Sequence, residues 1–279
     1  MDHYFVLGNP IAHSKSPAIH ARFSQMTGEA IRYDRLLVPL DGFTAALAKL
    51  RADGVRGCNV TVPFKLQAFQ AATVRSARAQ LAEAVNTLKF DGETIYADNT
   101  DGIGLVSDIQ RNAGLSLVGR DVLLIGAGGA AAGALAPLLA AGARRLVLVN
   151  RTRSKADALA DRHRAHASLT DALKVTEFEA QDIDALQGSF DVVVNASASS
   201  LAGADVPIKS SALKPGALVY DMMYGPAAQG FLTWARAHGA TPRDGLGMLV
   251  EQAAEAFEIW RGVRPASGLV LDELRAQAA

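Results

Sequence analysis

The chain has 279 residues, enough for two ordinary domains, each with a hydrophobic core of its own. Its 28 Lys and Arg residues equal its 28 Asp and Glu residues, and this zero formal charge argues against nucleic acid or an anionic membrane as the main partner. Cys58 is the only cysteine, so an intrachain disulfide is excluded. Because the sequence shows no signal peptide and no apolar run of about 20 residues, we expect a cytoplasmic protein.

The N-terminal part of the chain alternates between strand-like and helix-like patterns. The predicted strands lie at 3–8, 31–38 and 58–62, and the predicted helices lie at 18–27 and 43–50. This alternation indicates a largely parallel α/β sheet. Two short strands follow at 87–90 and 94–97, joined by Asp91-Gly92, which is typical of a hairpin turn.

Hydroxyl, ammonium, amide and carboxylate groups follow these strands, at the edge where open α/β sheets bind ligands. They belong to Ser14, Ser16, Thr61, Lys65, Asn86 and Asp101. We expect Pro63 to start a helix, and Asp101 is a plausible N-cap of another at 103–112. On local grounds alone, such residues are more often caps or solvated side chains.

The stretch from Asp121 to Thr152 carries the clearest motif. An apolar strand at 122–125 leads into the turn Gly126-Ala127-Gly128-Gly129-Ala130, a helix at 130–141 and a strand at 146–149. Gly126 permits the tight turn, and Gly128 lets backbone N–H groups and the helix N-terminus approach a pyrophosphate. Strand, helix and second strand together predict a dinucleotide-binding βαβ unit.

The residues after the second strand of this unit indicate which cofactor it binds. NAD-binding units place an Asp or Glu there to hold the ribose 2′-hydroxyl. This chain has Asn150, Arg151 and Thr152 instead, with Lys155 about one helical turn later. Two cations and a hydroxyl suit a 2′-phosphate and favour NADP. The alternative is an ordinary helix start with Thr152 or Ser154 as its N-cap.

The C-terminal half continues the α/β pattern. Buried strands are predicted at 191–195 and 218–222, and a helix at 248–262 has an apolar stripe of core type. Residues 163–190 are the least informative, and we expect a helix and an edge strand there. No Cys/His cluster has ligand spacing, so we predict no metal site.

Eight motifs resemble those of the shikimate dehydrogenase family. They are SKSP at 14–17, NVTVPFK at 59–65, AVNT at 84–87, NTDG at 99–102, GAGGA at 126–130, NRT at 150–152, DMMYGP at 221–226 and DGLGMLVEQAA at 244–254. The resemblance covers nearly the whole chain, with the motifs in the family's order. The chain departs from the family pattern at Glu83, where a small residue is usual, and at Lys155, where Arg is common.

The resemblance implies two α/β domains. Residues 1–102 and 249–279 would form a substrate-binding and catalytic domain, and residues 103–248 an inserted Rossmann-type NADP-binding domain, with the C-terminal helices returning to the first. The implied reaction is reversible hydride transfer between NADPH and 3-dehydroshikimate, which gives shikimate on the route to chorismate and the aromatic amino acids. These small molecules would be the partners of a monomer or homodimer.

The resemblance also implies residue roles. Lys65 and Asp101 would be the catalytic pair, and chemistry agrees, since a cationic donor stabilises the oxygen that gains negative charge when a ketone is reduced. Substrate contacts would come from Ser14, Ser16, Thr61, Asn86, Asp101, Tyr224 and Gln252. Cofactor contacts would come from Gly126, Ala127, Gly128, Gly129, Ala130, Asn150, Arg151, Thr152, Lys155, Met222 and Gly245.

Three alternatives stay open. A quinate/shikimate dehydrogenase of the same fold would oxidise quinate, usually with NAD, and the cations after the second strand argue against it. A methylenetetrahydrofolate dehydrogenase has a similar two-domain layout, but SKSP and NTDG favour the shikimate family. A non-catalytic NADP sensor would have no need of both Lys65 and Asp101.

Overall fold

A computed structural model describes residues 1–166, 177–200 and 207–277. The chain divides into two compact units, one made of Met1–Gly104 with Leu249–Ala279 and the other of Leu105–Met248. Within the described residues, each unit is built on a six-stranded sheet. The predicted fold class, two α/β parts with the C-terminal helices returning to the first, is confirmed.

The first unit alternates short strands and helices. They are β1 (Asp2–Gly8), α1 (Ser16–Thr27), β2 (Ile31–Leu37), α2 (Phe43–Ala52), β3 (Gly57–Val60), α3 (Lys65–Ala71), β4 (Val74–Arg75), α4 (Ala77–Ala82), β5 (Thr87–Asp91), β6 (Thr94–Asp98) and α5 (Asp101–Ser107). The sheet order is β2-β1-β3-β5-β6-β4. β1 pairs parallel with β2 and β3, whereas β5 pairs antiparallel with β3 and β6.

Two local predictions at this sheet edge are wrong. α3 begins at Lys65 and not at Pro63, because the Phe64 N–H closes a turn onto the carbonyl of Thr61 before the helix starts. Asp101 is the first residue of α5 and not its N-cap. Its carboxylate accepts hydrogen bonds from other side chains instead.

The second unit carries a parallel sheet. Its elements are β7 (Asp121–Ile125), α6 (Gly129–Ala140), β8 (Arg145–Asn150), α7 (Arg153–Ala165), β9 (Glu177–Asp182), β10 (Phe190–Asn195), β11 (Leu213–Asp221), α8 (Gln229–Ala237) and β12 (Thr241–Arg243). The order β9-β8-β7-β10-β11-β12 is the 3-2-1-4-5-6 order of the Rossmann fold. β7 and the centre of β8 are buried apolar runs, as expected of strands covered on both faces.

In the region from 163 to 190 the predicted edge strand is confirmed, whereas the predicted helix is not tested. α7 ends there and β9 forms the edge of the sheet, while residues 167–176 lie outside the described residues. No helix among the described residues is long and apolar enough to cross a membrane.

Two helices complete the chain, α9 (Leu246–Arg261) and α10 (Ser267–Ala276). Trp260 of α9 stacks on Tyr4 of β1 with 4.5 Å between ring centroids, and its Nε1 donates to the Leu88 carbonyl at 3.0 Å. Burial of such aromatic surface contributes strongly to stability. These contacts attach the C-terminal segment to the sheet of the first unit.

Candidate functional site

Lys65 and Asp101 form an ion pair in the first unit. Lys65 begins α3 after β3, and Asp101 begins α5 after β6. Lys65 Nζ lies 2.5 Å from Asp101 Oδ2, and the two side chains are 21% and 9% exposed. A charge-assisted hydrogen bond of this length fixes the ammonium in one place, while its partial exposure leaves it within reach of water.

Asn86 holds the second oxygen of Asp101. Its Nδ2 lies 2.8 Å from Asp101 Oδ1, 3.0 Å from Thr100 Oγ1 and 3.1 Å from Gln252 Oε1. All four side chains are buried or at the limit of burial. The structure therefore joins Lys65, Asn86, Asp101 and Gln252 by direct hydrogen bonds, although the sequence separates them widely.

The other first-unit candidates follow β1 and β3, which are neighbours in the sheet, and Ser16 is the first residue of α1. The Ser16 N–H contacts Ser14 Oγ at 3.3 Å, and the Thr61 N–H donates to the carbonyl of Leu7 at 2.9 Å. In the described part of the chain, none of these three hydroxyls bonds directly to Lys65. They lie at the same sheet edge as the ion pair, and the Ser16 side chain is hydrogen-bonded to Tyr33.

Tyr224 belongs to the second unit. It follows β11 and precedes a short 3₁₀ helix, Gly225–Ala228. Its side chain is half-buried, and this burial raises the pKa of its phenol. The hydroxyl therefore keeps its proton at neutral pH and can donate a hydrogen bond.

The glycine turn of the second unit serves two different steric needs. Gly126 has φ +114°, and a Cβ there would lie 3.0 Å from backbone atoms of Ala196, so a side chain is excluded. A Cβ at Gly128 or Gly129 would instead meet no atom within 4 Å. Since α6 begins at Gly129, open space borders its N-terminal N–H groups, which is what a phosphate requires.

The N-terminus of α7 lacks a side-chain capping hydrogen bond. Thr152 occupies the N-cap position, but its side chain makes no capping hydrogen bond, and Ser154 lies inside the helix. Asn150 Nδ2 donates to the carbonyl of Thr152 at 2.9 Å and shapes the bend after β8. The Thr152 hydroxyl is therefore available to a ligand.

Two exposed cations lie beside that hydroxyl. Arg153 pairs with Asp157 at 2.8 Å along the helix. Among the described residues, neither Arg151 nor Lys155 has an acidic partner within 4.0 Å. An unpaired guanidinium and ammonium at the end of β8 form a suitable site for a phosphate.

Met222 and Gly245 meet at the end of β11. A Cβ at Gly245 would lie 2.2 Å from the Met222 carbonyl oxygen, so only glycine fits. The Gly245 N–H donates to the carbonyl of Met223 at 2.9 Å. The two predicted cofactor residues are thus held together by close contact of their backbones.

Three buried polar residues were not among the site residues predicted from the sequence, namely Asn59, Thr87 and Asp221. Asp221, at the end of β11, is fully buried, and its carboxylate accepts hydrogen bonds from Asn195 at 3.1 Å and from the Ser200 hydroxyl. Desolvation raises the pKa of Asp221. A polar residue within or at the end of an otherwise apolar strand is the signal that could have found all three.

Glu83 has a left-handed backbone. Glu83 is the C-cap of α4, has a φ of 48° and directly precedes the AVNT motif. At this position the resemblance implies a small residue. A left-handed conformation costs a residue with a side chain about 1–2 kcal/mol. The departure at Glu83 therefore introduces local strain and leaves the helix end in place.

Three family models match the chain. Residues 6–88 match the shikimate dehydrogenase substrate binding domain, and residues 108–205 match shikimate/quinate 5-dehydrogenase. Residues 245–275 match the shikimate 5′-dehydrogenase C-terminal domain.

Individual proteins are similar over the full chain. A protein of Acidovorax sp. (strain JS42) named shikimate dehydrogenase (NADP(+)) is 64% identical over 278 residues, covering 100% of this chain and 97% of the relative. A solved Ael1 enzyme of Pseudomonas putida is 46% identical, with a TM-score of 0.89 and 98% of both chains covered. Shikimate 5-dehydrogenase of Thermus thermophilus, solved with NADP(H) and shikimate, is 30% identical, with a TM-score of 0.84 and 99% of both chains covered. The chain therefore belongs to the shikimate dehydrogenase family.

Proposed function

We propose that this chain is an NADP-dependent shikimate dehydrogenase, which reversibly reduces 3-dehydroshikimate to shikimate. The observation that carries the proposal is the Lys65–Asp101 pair at 2.5 Å, with Asn86 on the second carboxylate oxygen. Relatives named shikimate dehydrogenase (NADP(+)) support it, as does the neighbour that binds NADP(H) and shikimate.

In this mechanism Lys65 and Asp101 divide the work. When bound, NADPH supplies the hydride that reduces the ketone. Lys65 donates a proton to the ketone oxygen as that oxygen gains negative charge, and Asp101 keeps the ammonium in position. Because the Lys65 side chain is 21% exposed, it can regain the proton from water.

We assign substrate binding to residues 1–102 and 249–279. The hydroxyls of Ser14, Ser16 and Thr61 suit a polyol carboxylate, since hydroxyls both donate and accept hydrogen bonds. Asn86 and Gln252 add amides beside Asp101. Tyr224 is a further candidate for contact with the substrate, through its protonated phenolic hydroxyl.

We assign NADP binding to residues 103–248. The turn from Gly126 to Ala130, with open space at Gly128 and Gly129, would receive the pyrophosphate at the N-terminus of α6. Arg151, Thr152 and Lys155, with Asn150 shaping the bend, would receive the 2′-phosphate. Met222 and Gly245, held together at the end of β11, would add further contacts to the cofactor.

A panel of initial rates tests the proposal. The purified chain is assayed with shikimate or quinate, each with NADP or NAD. We expect the highest kcat/KM for shikimate with NADP. Preference for quinate with NAD would indicate the quinate/shikimate alternative, and no turnover of shikimate with either cofactor would overturn the proposal.

We further propose a cytoplasmic monomer or homodimer that binds small molecules and no nucleic acid. The balanced charge supports the absence of nucleic acid, and the single buried cysteine supports a reducing compartment. Light scattering should give 29.3 kDa or twice that mass, and a larger assembly would contradict it.

A further inference from the structure

A line of buried polar side chains leads from Asp101 into the first unit. Tyr33 Oη lies 2.7 Å from Asn59 Oδ1, and Asn59 Nδ2 lies 3.1 Å from Thr87 Oγ1. Thr87 Oγ1 lies 3.0 Å from Asn86 Oδ1, and Asn86 Nδ2 lies 2.8 Å from Asp101 Oδ1. All five residues are buried, so each hydrogen bond is shielded from water.

The donors of this line all point towards Asp101. Burial raises the pKa of Tyr33 well above its usual value of about 10, so its hydroxyl stays protonated and donates to Asn59 Oδ1. The Asn59 amide nitrogen then faces Thr87 and also donates to the carbonyl of Asn86 at 3.0 Å. Thr87 Oγ1 accepts from Asn59, and its own proton is therefore free for Asn86 Oδ1.

The end of the line that lies farthest from Asp101, at Tyr33, packs against an uncharged ring. His20 stacks on the Tyr33 ring with 4.2 Å between centroids and 11° between planes. Burial lowers the pKa of His20 to about 3, so the imidazole is neutral at neutral pH. The Tyr33 ring therefore packs against an uncharged imidazole, and its hydroxyl is hydrogen-bonded to Ser16 as well as to Asn59.

The orientation of the Asn86 amide decides whether the ion pair is supported. With its nitrogen towards Asp101, Asn86 donates to the carboxylate. If the amide were reversed, its oxygen would face a carboxylate oxygen, and two acceptors would repel each other. Three groups can hold the observed orientation by donating to Asn86 Oδ1, namely the backbone N–H of Thr100 at 2.9 Å, the hydroxyl of Thr87 at 3.0 Å and the hydroxyl of Thr100 at 3.2 Å.

We propose that Thr87 is a positioning residue for the proton-transfer pair. Its hydroxyl accepts a hydrogen bond from Asn59, which Tyr33 orients, and donates one to Asn86 Oδ1. This bond fixes which way the Asn86 amide faces, and Asn86 in turn holds Asp101 opposite Lys65. The consequence for turnover rests on the proposed function, whereas the consequence for the Asn86 amide does not.

Kinetics of Thr87→Val test the first consequence, because valine keeps the shape and removes the hydroxyl. The loss of one neutral hydrogen bond changes an equilibrium or rate constant by about 3- to 10-fold. The value of kcat should therefore fall by about that factor, while the KM values for shikimate and NADP change less than about twofold. Thr87→Ser should restore kcat. Thr73→Val is the matched control, since Thr73 bonds to the Ile95 backbone elsewhere in the same sheet, and its kcat should not change.

Exchange of the Asn86 side-chain amide protons, followed by NMR, tests the second consequence without shikimate. Exchange should be faster in Thr87→Val and in Tyr33→Phe, and unchanged in Thr73→Val. If Thr87→Val does not fold, Tyr33→Phe decides. Unchanged exchange, loss of kcat that Thr87→Ser fails to restore, or an equal loss in Thr73→Val would each overturn the proposal. A wild type that does not oxidise shikimate defeats the proposed function alone.

Discussion

In the first unit the candidate catalytic pair is held by hydrogen bonds of the protein, whereas in the second unit the candidate phosphate-binding side chains are left open. Asp101 accepts hydrogen bonds from both Lys65 and Asn86. Arg151 and Lys155, by contrast, are exposed and lack an acidic partner among the described residues, and the space beside Gly128 is empty of protein atoms. One site is fixed by its own contacts and the other offers free donors.

The difference follows from what each site must do. A proton-transfer pair needs one geometry, and buried hydrogen bonds of the protein supply it at the cost of desolvating charge. A phosphate brings its own charge and oxygens, so its site needs donors that are not already in use. Changes in the first unit should therefore affect kcat, and changes in the second should affect cofactor binding.

Among the predicted changes, removal of the Lys65 side chain should have the largest effect, and it should act on kcat. Lys65→Ala should lower kcat by about 10²–10⁴ while shikimate and NADP still bind, because a general acid–base is lost. Lys49→Ala is the control, since Lys49 of α2 forms a solvent-exposed ion pair with Asp53 just after that helix. Steady-state kinetics and binding titrations measure both, and a near-normal kcat in folded Lys65→Ala would remove Lys65 from the mechanism.

Removal of Arg151 should act on the cofactor. A hydrogen bond to a charged group contributes about 1.5–3 kcal/mol, so Arg151→Ala should weaken NADP binding by about 10- to 150-fold and leave NAD binding nearly unchanged. Arg153→Ala should change neither, because Arg153 already pairs with Asp157. Fluorescence titrations give the dissociation constants, and equal losses for NADP and NAD would contradict the assignment.

Removal of Gln252 should have a smaller effect, on substrate affinity. Gln252 Oε1 accepts from Asn86 and Thr100, but both have other partners and would stay in place. Gln252→Ala should therefore raise the shikimate KM about 3- to 10-fold with little change in kcat. A fall in kcat at constant KM would instead place Gln252 in the chemistry.

The smallest predicted effect is that of pH on the free energy of unfolding, and each unit contains one buried histidine that should contribute to it. Burial lowers the pKa of His20 to about 3 and that of His163 to about 4. Because these values lie below the usual 6.5 or so, the unfolded chain binds the proton more readily, and stability present above about pH 6.5 is lost as the pH falls. Each histidine should lower the free energy of unfolding by up to about 1 kcal/mol between pH 7 and pH 6.

Chemical denaturation of His20→Phe and His163→Phe at the two pH values measures these contributions. Each variant should lose roughly half of the pH dependence of the wild type. A pH dependence that neither variant reduces would show that other groups cause it.

Local motifs made much of the second site predictable. Gly126 needs φ above zero and close contact with the Ala196 backbone, and only glycine tolerates both. The glycine turn can therefore be recognised from the amino-acid sequence alone. Arg151 and Lys155 were predictable for a similar reason, because their place is fixed by the end of the adjacent strand, β8.

The first site was only partly predictable, because it depends on the register of distant strands. Asn59 and Thr87 are direct partners in the antiparallel pairing of β3 with β5, and nothing in either segment specifies that register. The position of Lys65 at the first residue of α3 likewise depends on the turn at residues 62–64, which the motif NVTVPFK does not reveal.

A double-variant comparison tests most directly whether Lys65 and Asp101 act as one unit. The kcat values of Lys65→Ala, Asp101→Asn and the variant carrying both changes are measured at saturating shikimate and NADP. Groups that act together have non-additive effects, so the double variant should match the slower single variant to within about threefold. If the two losses instead multiply, the pair does not act as one unit, and the account of the first site is contradicted.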